Sequence, residues 1–90
     1  MSKIKMYVTG YCPYCTMAER LLRAKGIEDE DIVKIRVDLE PALRVEMMQL
    51  TRRRTVPQIY IGDQHVGGFD DLSALDRAGA LDPLLKGEDG

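Results

Sequence analysis

The chain's 90 residues contain two cysteines, and they lie three positions apart in Cys12-Pro13-Tyr14-Cys15. Two thiols at that spacing can exchange electrons with a disulfide. One attacks a sulfur, and the other resolves the mixed disulfide that forms. The flanking residues decide whether they do so. Upstream, Ile4, Met6 and Val8 are apolar at period two, which is a strand pattern. Downstream, Tyr14, Met17, Ala18, Leu21 and Leu22 recur at helical spacing. Pro13 falls at the first helical position, where the missing N–H is least costly. The pattern therefore places Cys12 at a helix N-terminus, with Cys15 one turn in on the same side. Unpaired amides and the positive end of the helix dipole favour an anion there. Such settings lower a thiol from a pKa of ~8.5 to ~3.5–7.5, and each unit is worth about 1.4 kcal/mol of preference for the thiolate. Cys15 is expected to sit deeper, beside Ala18 and Leu22, and to stay protonated longer. The pair then divides into an exposed attacker and a sheltered resolver.

Two bland roles compete with this one. Structural zinc needs four ligands, and His65 is the only histidine available to join the cysteines, so no metal site is expected. A structural disulfide stabilises mainly by closing a long loop, and this one would close almost none. The redox role fits the motif and its placement best.

Composition sets the outer limits. One domain over residues 1–90 is expected, with 86–90 as a frayed tail. A hydrophobic content of 44% suffices for one core. A net charge of −2 points to neither a nucleic-acid nor a membrane-surface partner. Nothing approaches the ~18 apolar residues of a membrane span. Met1-Ser2-Lys3-Ile4-Lys5 has no apolar signal-peptide core, so a cytoplasmic location is expected. In that reducing compartment a lone cysteine pair is more readily catalytic than structural. A monomer is the default.

The rest of the chain reads in order. A strand spans 3–8, and Thr9-Gly10-Tyr11 turns the chain onto Cys12. A helix runs from Pro13 to Lys25 and is ended by Gly26. An acidic loop covers 27–31. Alternation over 32–38 marks a second strand, parallel to the first because a helix connects them. Pro41 opens a second helix to about Leu50 or Thr51, with Leu43, Met47 and Leu50 on its apolar line and Arg44 off it. Arg52-Arg53-Arg54 leads into Thr55-Val56-Pro57. Gln58–Ile61 and Gln64–Val66 form a hairpin about Gly62-Asp63, with His65 as a packing residue. A third helix begins at Gly67-Gly68-Phe69-Asp70-Asp71, carries Leu72, Leu75 and Ala78 on one face, and stops at Gly79. Leu81–Leu85 is a terminal turn docked on the core. The order βαβαββα describes an α/β fold, a four-stranded mixed sheet with helices on both faces.

Three separated stretches, Cys12-Pro13-Tyr14-Cys15, Thr55-Val56-Pro57-Gln58 and Gly67-Gly68-Phe69-Asp70-Asp71-Leu72, together resemble a dithiol glutaredoxin of the Cys-Pro-Tyr-Cys type. The resemblance covers nearly the whole chain. It implies the thioredoxin-like fold and an oxidoreductase that uses glutathione as co-substrate, with no tightly bound cofactor and with disulfide-containing or glutathionylated proteins as partners. It also implies catalysis by Cys12 and Cys15, and a cis bond before Pro57. Glutathione contacts are implied from Tyr14, Thr55, Val56, Pro57, Phe69, Asp70 and Asp71. For the glycyl carboxylate of glutathione many members carry a lysine three residues before the first cysteine. Thr9 stands there instead, and Arg44 is the first substitute, ahead of Arg53 or Arg54. The Thr9 difference leaves open a redoxin reduced by thioredoxin reductase. An iron–sulfur module is a second alternative, disfavoured by Pro13.

Overall fold

The computed structural model describes residues 3–87. Strands β1 (Ile4–Val8), β2 (Ile32–Arg36), β3 (Gln58–Ile61) and β4 (Gln64–Gly67) form one sheet in the order β2-β1-β3-β4. Strand β1 runs parallel to β2 and antiparallel to β3, which pairs antiparallel with β4. The connections explain the mixture. Helix α1 (Pro13–Ala24) carries the chain back so that β2 can run parallel to β1. A tight turn suffices between β3 and β4, and Gly62 supplies its positive φ of 59°. Helix α2 (Pro41–Thr51) joins β2 to β3, and α3 (Phe69–Arg77) and α4 (Leu81–Leu85) follow the sheet.

Alternation along β1 sorts the helices onto two faces. Ile4, Met6 and Val8 meet Ala18, Leu22, Leu72, Leu81 and Leu85 in one core cluster. Tyr7 points the other way, onto Val37 and Met47. Helices α1, α3 and α4 therefore cover one face and α2 the other. The Tyr7 hydroxyl donates to Glu46 at 3.0 Å, tying β1 to α2. Leu22, fully buried in the larger cluster, is the kind of side chain whose truncation to alanine costs about 2–5 kcal/mol.

Several expected boundaries move. Strand β2 ends at Arg36. Val37 still donates to the Val8 carbonyl at 3.0 Å, but Asp38 turns away to bond elsewhere. The acidic loop contains a short 3-10 turn, Asp29–Asp31. On α2 the buried line is Met47 and Thr51, and Leu50 is 56% exposed. Thr51 can take the inner position because its hydroxyl donates to the Met47 carbonyl at 2.7 Å. On α3, Leu72 is buried, but Ala78 is exposed and caps the helix. Leu81–Leu85 is a helix in place of the expected turn, and buries Leu81, Leu84 and Leu85. Lys86 and Gly87, expected to fray, close that helix through bonds to the Asp82 and Leu84 carbonyls. The remainder of the expected tail, 88–90, lies outside the described residues. Among the described residues no helix is long and apolar enough to cross a membrane.

Candidate functional site

Cys12 is the N-cap residue of α1. Its backbone is extended (φ −151°, ψ 93°), and Pro13 is the first helical residue. The Cys12 Sγ accepts the Cys15 backbone N–H at 3.1 Å. A sulfur thus occupies the place where serine or aspartate usually satisfies a free helix amide. The Cys12 and Cys15 sulfurs are joined as a disulfide with Cα atoms 5.2 Å apart. Cys15 is 3% exposed and lies on the buried line Cys15, Ala18, Leu22, whereas Cys12 is half-buried. The outer sulfur lies at the helix tip on a partly exposed residue, and the inner one belongs to the buried cluster with Ala18 and Leu22.

The loop feeding this tip is anchored from the sheet. Asp38, just past β2, accepts the Gly10 N–H at 3.0 Å and holds the Arg36 guanidinium at 2.7 and 2.8 Å. The Arg36 side chain and the Gly10 amide together keep the Asp38 carboxyl well below the usual aspartate range. Thr9 donates from its hydroxyl to the Tyr11 carbonyl at 3.2 Å.

Beside the α1 tip lies a groove of about 340 Å³, bordered by Tyr14, Arg53, Thr55, Val56, Pro57 and the stretch Gly68–Asp71. The Val56–Pro57 bond is cis. Tyr14 and Phe69 face each other with ring centroids 6.5 Å apart. Cys12, Val56 and Phe69 all pack on the core cluster that contains Cys15. The far wall is the N-terminus of α3. Its N-cap, Gly68, has no side chain, so Asp71 reaches back and accepts the Gly68 N–H on Oδ2 at 2.9 Å. The same oxygen accepts from Arg53 Nη1 at 2.7 Å. These two bonds, Arg53 first, hold the Asp71 carboxyl below its usual value. The Phe69 and Asp70 amides are in the first turn and have no intrahelical acceptor.

Seven of the eight residues expected to contact a peptide ligand, Tyr14, Thr55, Val56, Pro57, Phe69, Asp70 and Asp71, border this one groove. Arg44 does not. Its guanidinium donates to the Arg54 carbonyl at 3.4 Å, one residue from the groove wall. Arg53 is the arginine that lines it. Sequence reasoning missed Asp38 as the anchor of the cysteine loop. The Arg36/Asp38 spacing hinted at an ion pair, but nothing local pointed to Gly10. Among the described residues, no three His, Cys, Asp or Glu side chains gather where they could hold a metal ion.

Comparison with known proteins agrees with this geometry. A sequence model of the family described as Glutaredoxin matches residues 4–66. A glutaredoxin from Neisseria meningitidis serogroup A is 53% identical over 85 residues, covering 94% of this chain and 98% of that protein. Glutaredoxin 3 from Escherichia coli K12 is 46% identical over 86 residues, covering 96% of this chain and 100% of that protein. Among solved structures, a buckwheat glutaredoxin–glutathione complex matches with a TM-score of 0.85 at 30% identity, over 96% of this chain and 78% of that one.

Proposed function

This chain belongs to the glutaredoxin family and is a thiol–disulfide oxidoreductase with a thioredoxin-like fold, and we propose that glutathione is its reductant and the ligand of the groove beside Cys12. One observation carries this reading: Tyr14, in the first turn of the cysteine-capped helix α1, and the first turn of α3 border one groove of about 340 Å³ with the cis Val56–Pro57 segment between them. The solved relative bound to glutathione supports it.

In the reduced enzyme the Cys12 thiolate attacks the glutathione sulfur of a glutathionylated protein. A Cys12–glutathione disulfide forms, and the protein thiolate leaves and takes up a proton. A second glutathione thiolate then attacks the glutathione sulfur on Cys12. Oxidised glutathione departs and the Cys12 thiolate is restored. With an intramolecular protein disulfide, Cys12 forms the mixed disulfide with the protein. Cys15 loses its proton and attacks Cys12, the reduced protein leaves, and two glutathiones reopen the Cys12–Cys15 bond. Glutaredoxin potentials of about −200 to −230 mV lie near that of the glutathione couple, so the cycle runs in either direction.

Each groove residue has a role on this reading. The Val56 backbone pairs with the tripeptide as an added strand would, between Thr55 and Pro57 and against the Tyr14 ring. The Phe69 and Asp70 amides bind the γ-glutamyl carboxylate, and Asp71 takes the neighbouring ammonium. Arg44, on the Arg54 carbonyl just outside the groove wall, is the cation proposed for the glycyl carboxylate where the tripeptide leaves the groove, with Arg53, which lines it, as the second. Residues 1–90 act as one domain and as a monomer, in a glutathione-rich compartment such as the cytoplasm, with no tightly bound cofactor. The deciding experiment is disulfide reduction coupled to glutathione and glutathione reductase, run beside a thioredoxin-reductase control. Turnover with glutathione and little with the reductase is the expected result. The reverse pattern would assign the redoxin role instead.

A further inference from the structure

A line of hydrogen bonds runs from the groove wall into the sheet and ends on the chain's single histidine. The Gln58 side chain, on β3, is fully buried, where an unpaired amide is costly. Its Nε2 lies 2.9 Å from the Thr55 carbonyl and 3.4 Å from Thr55 Oγ1. Its Oε1 lies 2.8 Å from His65 Nε2. A carbonyl only accepts, so the amide group facing Thr55 must be the NH2. The atom facing His65 is then the amide oxygen, and His65 must carry its proton on Nε2. One tautomer satisfies the whole line. Burial, with the charge of Arg53 adding to it and that of Asp71 opposing, holds the His65 pKa below its usual value, so the neutral ring prevails at neutral pH. The Tyr60 ring, 5.1 Å away between centroids, supports it from β3.

We propose that His65 is a positioning residue for the peptide groove: its Nε2–H fixes the Gln58 amide, whose NH2 holds the Thr55 carbonyl and with it the Thr55-Val56-Pro57 wall. The proposal rests on reading that groove as the glutathione site. His65 does not border the groove and acts through Gln58. With the other tautomer, a bare Nε2 would face Oε1. The amide would turn to give His65 its NH2, leaving two oxygens opposed at Thr55.

The test uses His65→Phe, which keeps a flat ring but has no donor, and His65→Gln, which carries an N–H at similar reach. The Michaelis constant for a glutathionylated peptide, kcat, and the alkylation rate of Cys12 are measured for each. His65→Phe is expected to raise the Michaelis constant roughly threefold to tenfold, the range a lost hydrogen bond gives, with kcat and alkylation unchanged. His65→Gln is expected to recover most of that loss. Nitrogen NMR of the unaltered protein is expected to show His65 protonated at Nε2 alone. A folded His65→Phe with an unchanged Michaelis constant, a His65→Gln no better than His65→Phe, or a proton on Nδ1 would each overturn the proposal. If His65→Phe does not fold, the NMR result decides. If the unaltered protein never saturates with the glutathionylated peptide, the glutathione reading has failed instead. The tautomer, with the Thr55 NMR shifts in the two variants, still tests the relay.

Discussion

Helices α1 and α3 both begin at the site, and both are fed by a loop glycine whose N–H is held by an aspartate that is also bound to an arginine. At α1 these are Gly10, Asp38 and Arg36. At α3 they are Gly68, Asp71 and Arg53. The difference lies in the cap. Helix α1 is capped by the Cys12 sulfur, which consumes the Cys15 amide, so its loop must be anchored from 28 residues away by Asp38. Helix α3 has glycine at the cap and takes its anchor, Asp71, from its own first turn, and a first turn leaves its leading amides without an intrahelical acceptor. The same backbone electrostatics would favour a thiolate on the resident sulfur at one tip once the disulfide is reduced, and is proposed to bind a visiting carboxylate at the other.

The largest effects are expected at the α1 tip. Cys12→Ser is expected to reduce all glutathione-coupled turnover to background. Cys15→Ser should keep turnover of glutathionylated peptide and lose reduction of protein disulfides. Equal loss in the two would erase the attacker and resolver distinction.

At the α3 tip, two adjacent glycines should behave differently. Gly67 has φ +118°, and a Cβ there would run into Asp71 Oδ2 and lie 2.8 Å from Arg53 Nη1. Gly67→Ala is expected to cost about 1–3 kcal/mol in denaturant unfolding. Gly68 has a negative φ of −90°, and the nearest atom to its built Cβ is 3.6 Å away. Gly68→Ala should stay within about 0.5 kcal/mol.

The two aspartates should differ in what they control. Asp71→Asn keeps an oxygen for Gly68 but loses the charge, and is expected to raise the Michaelis constant for glutathionylated peptide roughly tenfold. Asp38→Asn should leave that constant alone and change the Cys12 alkylation rate by about twofold.

The smallest effects concern pH. Both carboxyls are held below the ordinary aspartate value of 3.8 when folded. Their contribution to stability is present above that value and fades as pH falls through the lower folded values. Solvent screening keeps it small. His65 is also held below its usual 6.5, but as a base it is protonated more readily in the unfolded chain. Stability should therefore slip as pH drops below about 6.5. Thermal melts of the unaltered protein against Asp38→Asn, Asp71→Asn and His65→Gln would separate the three contributions.

Much of the site was legible because its signals are local. Period-two alternation placed β1, helical spacing and Pro13 placed the α1 tip, and the glycine–aspartate run opened α3. Each depends on torsions and contacts within a few residues, which residue types set by themselves. Helical spacing alone likewise sets Cys15, Ala18 and Leu22 inward of Cys12.

What the sequence alone determined, then, was which residues cap, turn and alternate, and hence where the two sulfurs stand on their helix. The tertiary structure decided which distant side chains meet. It joined Asp38 to Gly10 and Arg53 to Asp71, and it set Arg44 against the Arg54 carbonyl, off the groove lining. It linked His65 to Thr55 through Gln58, and it turned Thr51 inward and Leu50 to solvent. Those pairings depend on strand register and on the reach of long side chains across packed elements. Periodicity along the chain specifies which face a residue occupies, but it does not specify what lies opposite.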